Sequence, residues 1–127
     1  MFRALTTPAS LDQWFTDTSR IEARRGGEYR FAWSGGYLHE GRVLAFARSR
    51  LLVLEWPQSG LSTRVRFSLT RTTSGTLLEF RQSGVGYDAR RRPHFLGIYG
   101  GWLYYLTNLR ALLEAGHDLR RGKDRYW

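Results

Sequence analysis

Residues 93–116, PHFLGIYGGWLYYLTNLRALLEAG, carry apolar side chains at spacings of three and four. This period is typical of an amphipathic α-helix with a broad apolar stripe. Pro93 suits the first turn of such a helix and Gly116 suits its end. A helix of about six turns cannot bury this stripe alone, so another element must cover it. The stripe consists of Phe95, Ile98, Tyr99, Trp102, Tyr105, Leu106, Leu109, Leu112 and Leu113.

The part of the chain before this helix has a period of two, which predicts β-strands. Tyr29, Phe31 and Trp33 alternate with polar or small neighbours, and four similar segments follow at residues 40–46, 51–56, 63–69 and 78–82. Strands of an antiparallel meander often have one apolar and one charged face. The sequence therefore predicts one α+β domain, residues 1–127, in which a curved antiparallel sheet of about five strands wraps the C-terminal helix. Glu55 and Glu79 then point outward.

The N-terminal residues predict two short helical segments, because Pro8 interrupts an otherwise helical pattern. Ser10 is a candidate cap for the second segment, with Gln13 as its capping-box partner. Trp14 and Phe15 come directly after it, and we expect both rings to face the core.

Composition narrows the class of protein. The chain has 127 residues, 42% of them hydrophobic, which is enough for the core of one domain. No apolar run approaches the length of a membrane span, and no signal peptide opens the chain, so a cytoplasmic protein is expected. The absence of cysteine excludes disulfides and thiolate-metal sites.

The net charge of +9 would attract polyanions nonspecifically at low salt. Basic runs such as Arg120-Arg121 are candidates for a polyanion-binding surface. Specific nucleic-acid binding is not predicted, because base stacking needs exposed aromatic rings and the strand aromatics are expected inside.

The polar residues do not form a catalytic pattern. His39, His94 and His117 are scattered, and His39 and Glu40 are neighbours on a strand, so their side chains point to opposite faces. The serines lack the surroundings of a nucleophile. We therefore predict no catalytic residue, no metal ion and no cofactor.

Short motifs are distributed along nearly the whole chain. Their residues are Ala4, Leu5, Pro8, Trp14, Phe15, Gly26, Gly27, Tyr29, Phe31, Gly41, Arg42, Val43, Leu52, Trp56, Thr76, Leu78, Ser83, Gly84, Gly101, Trp102, Leu106, Leu109 and Leu113. In order and spacing they resemble the family named after the activator of the ninety-kilodalton heat-shock protein ATPase, a branch of the START-like superfamily. The chain departs from the family pattern at Gln82, where histidine is common. The resemblance implies the helix-grip fold.

Members of this family normally have a β-strand and a half-turn of helix before the segment that corresponds to residues 2–8. That strand is absent here, which would leave a sheet edge or a cavity wall uncovered. We therefore expect a homodimer formed through this region. The alternative is that the native start lies upstream of Met1.

Bacterial members are thought to hold small apolar ligands between sheet and helix. The resemblance thus implies noncatalytic binding of a small hydrophobic, aromatic or lipid-like molecule, in a carrier or sensor role. Alternatives are a protein-interaction domain that activates a chaperone ATPase, and an enzyme acting on an aromatic or polyketide-like substrate. Arg90, Arg91 and Arg92 are candidates for contacting an anionic group of the ligand. The predicted cavity residues are Trp14, Phe31, Trp33, Trp56, Phe67, Phe80, Tyr99, Trp102, Tyr105, Leu106 and Leu109.

Overall fold

Two short helices precede a six-stranded sheet, and one long helix follows it. The computed structural model describes residues 1–58, 60–84 and 92–120. In chain order the elements are α1 (Phe2–Thr6), α2 (Pro8–Leu11), β1 (Thr18–Ile21), β2 (Glu28–Trp33), β3 (Tyr37–Ala47), β4 (Leu51–Gln58), β5 (Leu61–Thr72), β6 (Gly75–Ser83) and α3 (Arg92–Ala115).

The sheet is an antiparallel meander in which every strand pairs with its neighbours in sequence. The α+β helix-grip prediction is thereby confirmed, with six strands instead of about five. The additional strand is β1, which pairs with β2 from Thr18 opposite Ala32 to Ile21 opposite Tyr29. It was missed because four residues with a single apolar side chain give no clear period of two.

The alternation predicted for the strands is present in the structure. One face of the sheet is buried and packs against the N-terminal segment and α3, while charged residues between the buried ones are exposed. The buried strand residues are Tyr29, Phe31, Trp33, Val43, Leu52, Leu54, Trp56, Val65, Phe67 and Leu69.

Phe15 lies at the centre of the core. Its ring is within 5.4 Å, centroid to centroid, of Trp33 on β2 and of Trp102 and Tyr105 on α3. Trp14 also stacks on Phe15, with ring centroids 4.9 Å apart. Edge-to-face and offset contacts at these distances stabilise aromatic pairs beyond the burial of their area. The N-terminal segment therefore joins sheet to helix.

The ends of the long helix agree with the sequence prediction. Pro93 lies in its first turn, and Gly116 follows its last residue with φ of 71°, a conformation that favours glycine. The capping prediction for Ser10 is wrong, because α2 begins at Pro8 with Thr7 as its N-cap residue. Within the residues described, no helix has the length and apolarity required to cross a membrane.

A buried polar cluster joins the C-terminal residues to the N-terminal segment. Asn108 of α3 is fully buried and donates hydrogen bonds to the carbonyl oxygen of Trp14 and to Asp118, both at 2.9 Å. Arg120 donates to the carbonyl oxygen of Thr16 at 3.2 Å and pairs with Asp118 at 2.9 Å. Arg120 is therefore a buried structural residue, and the prediction that placed it on a polyanion-binding surface is wrong. All three of its guanidinium nitrogens donate hydrogen bonds inside the protein instead.

Candidate functional site

The interior of the domain is packed. Eight of the predicted cavity residues are buried there, and the space left between the rings is only about 10 Å³. Such a void holds about one water molecule. The core therefore has no room for the ligand that the sequence placed among these residues. The eight are Trp14, Phe31, Trp33, Trp56, Phe67, Trp102, Tyr105 and Leu109.

A half-open pocket of about 380 Å³ lies between β6 and α3. Pockets for small molecules commonly start at about 300 Å³ and are lined mainly by apolar side chains. Four of the predicted cavity residues line this one, and Trp102 separates it from the packed core. The lining consists of Phe80, Arg81, Gln82, Ile98, Tyr99, Trp102, Leu103 and Leu106.

Tyr99 corrects the sequence interpretation. It was expected inside the cavity, but 61% of its surface is exposed at the pocket. The rings around Phe15 fill the interior of the domain. The sheet therefore covers only part of the broad apolar stripe of α3. The side of the stripe that carries Tyr99 and Leu103 therefore lies beside β6, at the end of the sheet.

Gln82 organises the polar floor of the pocket. Its side-chain nitrogen donates to Gln58 at 2.9 Å and to Thr63 at 3.0 Å, and its oxygen accepts the indole N–H of Trp102 at 2.8 Å. The hydroxyl of Thr63 in turn donates to the carbonyl oxygen of Trp56. These bonds hold the Trp102 ring in one orientation between core and pocket.

Sequence reasoning placed Gln82 on the same face of its strand as Leu78 and Phe80 and noted it as a departure from the family pattern, but did not assign it to the site. Leu103 was not assigned to the site, although it lies four residues after Tyr99 and three before Leu106, so the helical spacing was the signal that could have identified it. Arg90 and Arg91 lie outside the described residues, as does the side chain of Arg92, so the predicted anion contacts remain a prediction.

Arg81 is the charged residue of the pocket lining that the structure describes. It lies on the exposed face of β6, next to Gln82, while Phe80 on the inner face contacts Trp102 with ring centroids 4.3 Å apart. The lining thus combines aromatic and aliphatic side chains with a guanidinium group. This arrangement suits an apolar molecule that carries a polar or anionic group.

A second polar region fills a gap in the sheet. The first half of β3 pairs with β2, and only residues 43–47 pair with β4. In the gap His39 stacks on Trp56 with centroids 4.2 Å apart, and the Tyr29 hydroxyl donates to the carbonyl oxygen of Glu55. The Glu55 carboxylate accepts the backbone N–H of Arg42 at 3.1 Å.

Burial governs the titration of both ring groups in this gap. Desolvation lowers the pKa of His39 to about 4, although its hydrogen bond to the carbonyl of Pro57 acts in the opposite direction. Desolvation, with the carboxylates of Glu55 and Glu40, raises the pKa of the Tyr29 hydroxyl well above its usual value. Both rings are therefore neutral near pH 7, and they fill the gap as packing groups.

In the part of the chain that the structure describes, no three histidine or carboxylate side chains come together to hold a metal ion.

Comparison with solved structures places the fold among bacterial proteins. MLL2253 from Mesorhizobium loti is 26% identical, with a TM-score of 0.79 over 91% of this chain and 88% of that chain. SSP2350 from Staphylococcus saprophyticus is 18% identical, with a TM-score of 0.80 over 94% and 84%. The Aha1 dimer from Colwellia psychrerythraea is 20% identical, with a TM-score of 0.77 over 91% and 86%.

The sequence matches no curated protein. The model of the family described as Activator of Hsp90 ATPase homolog 1-like protein matches residues 1–114. This match spans both N-terminal helices, the whole sheet and nearly all of α3. The chain therefore belongs to the family of Activator of Hsp90 ATPase homolog 1-like proteins.

Proposed function

We propose that this protein binds a small hydrophobic, aromatic or lipid-like molecule in the pocket between β6 and α3, as a carrier or sensor without catalysis. The observation that carries the proposal is a pocket of about 380 Å³ with an apolar lining next to a fully packed core. The pocket thus takes the place of the enclosed cavity that the sequence suggested, and it retains Phe80, Trp102 and Leu106 in its lining.

The chemistry of the lining defines the ligand class. The ring of Trp102 is held by Gln82, so it offers a fixed surface for an apolar or planar molecule. Arg81 offers a guanidinium group to a carboxylate or another anion. We therefore expect ligands with one or two rings, or a short acyl chain, that end in an acidic group.

The experiment is an NMR titration of the ¹⁵N-labelled protein with two acids, naphthoate and dodecanoate, the latter below the concentration at which it forms micelles. The indole N–H signal of Trp102 is the reporter, because that group lies at the pocket floor. We expect saturable shifts of this signal and of the amides of residues 98–106.

A pair of variants provides the control. Leu103 and Leu113 are both exposed on α3, at 55% and 44%, but only Leu103 lines the pocket. Leu103→Gln should weaken binding about tenfold, which corresponds to about 1.4 kcal/mol of lost apolar contact. Leu113→Gln should leave it unchanged. Absence of a saturable shift with either acid, or equal losses in the two variants, would contradict the proposal.

A second candidate function is stimulation of a chaperone ATPase through the outer surface, and the family match favours it. The outer face of β5 carries the exposed Arg64 and Arg66, which could contact an acidic partner. In an ATPase assay with a ninety-kilodalton heat-shock protein, Arg64→Glu with Arg66→Glu should abolish stimulation, whereas Leu103→Gln should retain it. Stimulation that survives the two arginine changes but is lost in Leu103→Gln would contradict this second function and leave ligand binding as the remaining proposal.

A further inference from the structure

The neighbours of Gln82 fix the orientation of its side-chain amide on the pocket floor. An indole N–H can only donate, so the amide group that faces Trp102 at 2.8 Å is the oxygen. The nitrogen then faces the side-chain oxygen of Gln58 at 2.9 Å and the hydroxyl of Thr63 at 3.0 Å. That hydroxyl uses its own proton on the carbonyl oxygen of Trp56, so it can only accept from Gln82. Turning the amide around would place oxygen against oxygen and N–H against N–H.

These contacts leave one hydrogen-bonding position of the amide unused. A side-chain amide has two N–H donors and two lone pairs on its oxygen. Both donors of Gln82 are engaged, by Gln58 and Thr63, and one lone pair accepts the N–H of Trp102. Among the described residues no other group donates to this oxygen. Its second lone pair is therefore what Gln82 can offer to a molecule in the pocket that it lines.

The guanidinium group of the lining lies at the other end of the pocket. Arg81 and Gln82 are neighbours on β6, so their side chains point to opposite faces of the strand. Arg81 is exposed at the rim, whereas Gln82 is partly buried on the floor. A guanidinium group can only donate hydrogen bonds. A molecule that spans the pocket thus meets a donor at the rim and an acceptor on the floor.

We propose that the pocket selects ligands that carry a hydroxyl or N–H group at the end opposite their acidic group, and that Gln82 determines this specificity. Gln82 accepts a hydrogen bond from the buried end of the molecule, while the acidic group lies at Arg81. The ligand class narrows from apolar acids to hydroxy-aromatic acids and hydroxy-acyl acids with the hydroxyl far from the carboxylate. This inference rests on the ligand-binding function proposed above.

Desolvation of the Gln82 oxygen is the physical reason for the selection. A ligand that covers the pocket floor removes water from the second lone pair. An apolar end leaves that lone pair without a partner, whereas a hydroxyl group replaces the water. Because Trp102 and Thr63 hold the amide in place, it cannot turn to offer an N–H group instead. Sites that are built to bond a hydroxyl group reject analogues without it for this reason.

The test compares two isomers, 6-hydroxy-2-naphthoate and 3-hydroxy-2-naphthoate, together with 2-naphthoate. The hydroxyl group of the first isomer is at the far end of the ring system. In the second it is next to the carboxylate and bonds to it, although the formula is the same. Affinities are measured by NMR titration at pH 7 with the indole N–H signal of Trp102 as reporter. We expect the 6-hydroxy isomer to bind about fivefold more tightly than either of the other two acids.

The variant Gln82→His separates this specificity from the structural role of Gln82. A neutral imidazole has one acceptor nitrogen and one N–H donor. The acceptor can take the N–H of Trp102 and the donor can bond to Thr63, which leaves no lone pair for the ligand. We therefore expect the two isomers to bind with equal affinity, whereas a merely loosened floor would weaken both alike and keep their ratio. Ser83→Ala, at an exposed position outside the lining, should leave the preference at about fivefold.

Equal affinities of the two isomers for the wild-type protein, or a preference that persists in folded Gln82→His, would overturn the inference. Circular dichroism shows whether the variant is folded, and the comparison of isomers in the wild-type protein needs no variant. Saturable binding of 2-naphthoate without a preference for the far hydroxyl group would remove this inference alone and leave the ligand-binding function in place. No saturable binding of any of the three acids would overturn both.

Discussion

The indole N–H of Trp102 on α3 donates a 2.8 Å hydrogen bond to the side-chain oxygen of Gln82 on β6. Trp102 is 5% exposed, and its ring contacts Phe15, Trp56 and Phe80. This single bond therefore links the end strand of the sheet to the helix and orients the ring between core and pocket.

Replacement of Gln82 by leucine tests this link. Gln82→Leu leaves the Trp102 donor without its acceptor and removes two further hydrogen bonds, to Gln58 and Thr63. A buried donor left unsatisfied costs about 1–3 kcal/mol, so we expect a loss of that size in the free energy of unfolding by urea. Ser83→Ala, at an exposed neighbouring position, should change it by less than about 0.5 kcal/mol. Equal effects of the two changes would contradict the structural role of Gln82.

His39 predicts a specific dependence of stability on pH. Burial lowers its pKa to about 4 in the folded protein, below the usual value of 6.5 for histidine. Between these values the unfolded chain binds a proton that the folded chain does not, so stability falls as pH decreases from about 6.5 to 4. Allowing for partial exposure, we expect a total loss of about 2 kcal/mol in urea unfolding.

His39→Gln should remove most of this loss, since the substituted side chain does not titrate. His117→Gln is the matched control because His117 is exposed, and it should leave the dependence in place. A wild-type free energy of unfolding that is constant between pH 7 and 4.5 would contradict the burial of the neutral ring.

The Arg120 cluster predicts a large difference between two arginine substitutions. Arg120→Ala leaves two backbone carbonyls and the partly exposed Asp118 carboxylate without the buried guanidinium, which costs about 1–3 kcal/mol. Arg110→Ala removes an exposed pair with Glu114, worth about 0.5 kcal/mol or less. Thermal unfolding should therefore show a large decrease in Tm for the first variant only.

Asp118 adds a pH signature to the same cluster. Desolvation opposes its ionisation, but hydrogen bonds from Arg120 and Asn108 outweigh this and hold the pKa of Asp118 below its usual value. The stabilisation is present above the pKa of the unfolded chain, about 3.9, and is lost as pH falls through the lower folded value. In Asp118→Asn the free energy of unfolding should therefore decrease less steeply as pH falls below about 4. A decrease as steep as that of the wild-type protein would argue against the cluster.

Replacing Gly41 and Gly97 by alanine should change the free energy of unfolding in opposite directions. A Cβ at Gly41 would lie 3.1 Å from the carbonyl oxygen of Glu55 and 3.2 Å from the Tyr29 ring, so Gly41→Ala should destabilise the protein by about 1–3 kcal/mol. A Cβ at Gly97 meets nothing within 4 Å, and alanine favours a helix. Gly97→Ala should therefore stabilise by about 0.5–1 kcal/mol. Urea unfolding of the two variants measures both effects.

The fold was predictable because it depends on local periods. Alternation along residues 28–33 and 63–69 predicts which face of each strand points to the core. Apolar spacings of three and four predict which face of α3 packs against the sheet. β1 was not predictable in the same way, because four residues are too few for a period and the strand is defined by its pairing with β2.

The candidate site was only partly predictable. The sequence placed Phe80, Trp102 and Leu106 between sheet and helix, and in the structure they line one pocket there. It could not show that Phe15 and its neighbouring rings fill the interior and leave only about 10 Å³. Free volume depends on the sum of many packed shapes, which no local pattern contains.

Periodicity alone thus determined the α+β class, the inward face of nearly every strand and the boundaries of the long helix. The tertiary structure decided where space remains and which polar groups are satisfied. Arg120 illustrates the physical reason: it donates to the carbonyl oxygen of Asp12, 108 positions earlier. In the sequence it is one arginine of a basic run, and only the folded chain brings its partners together and removes it from water.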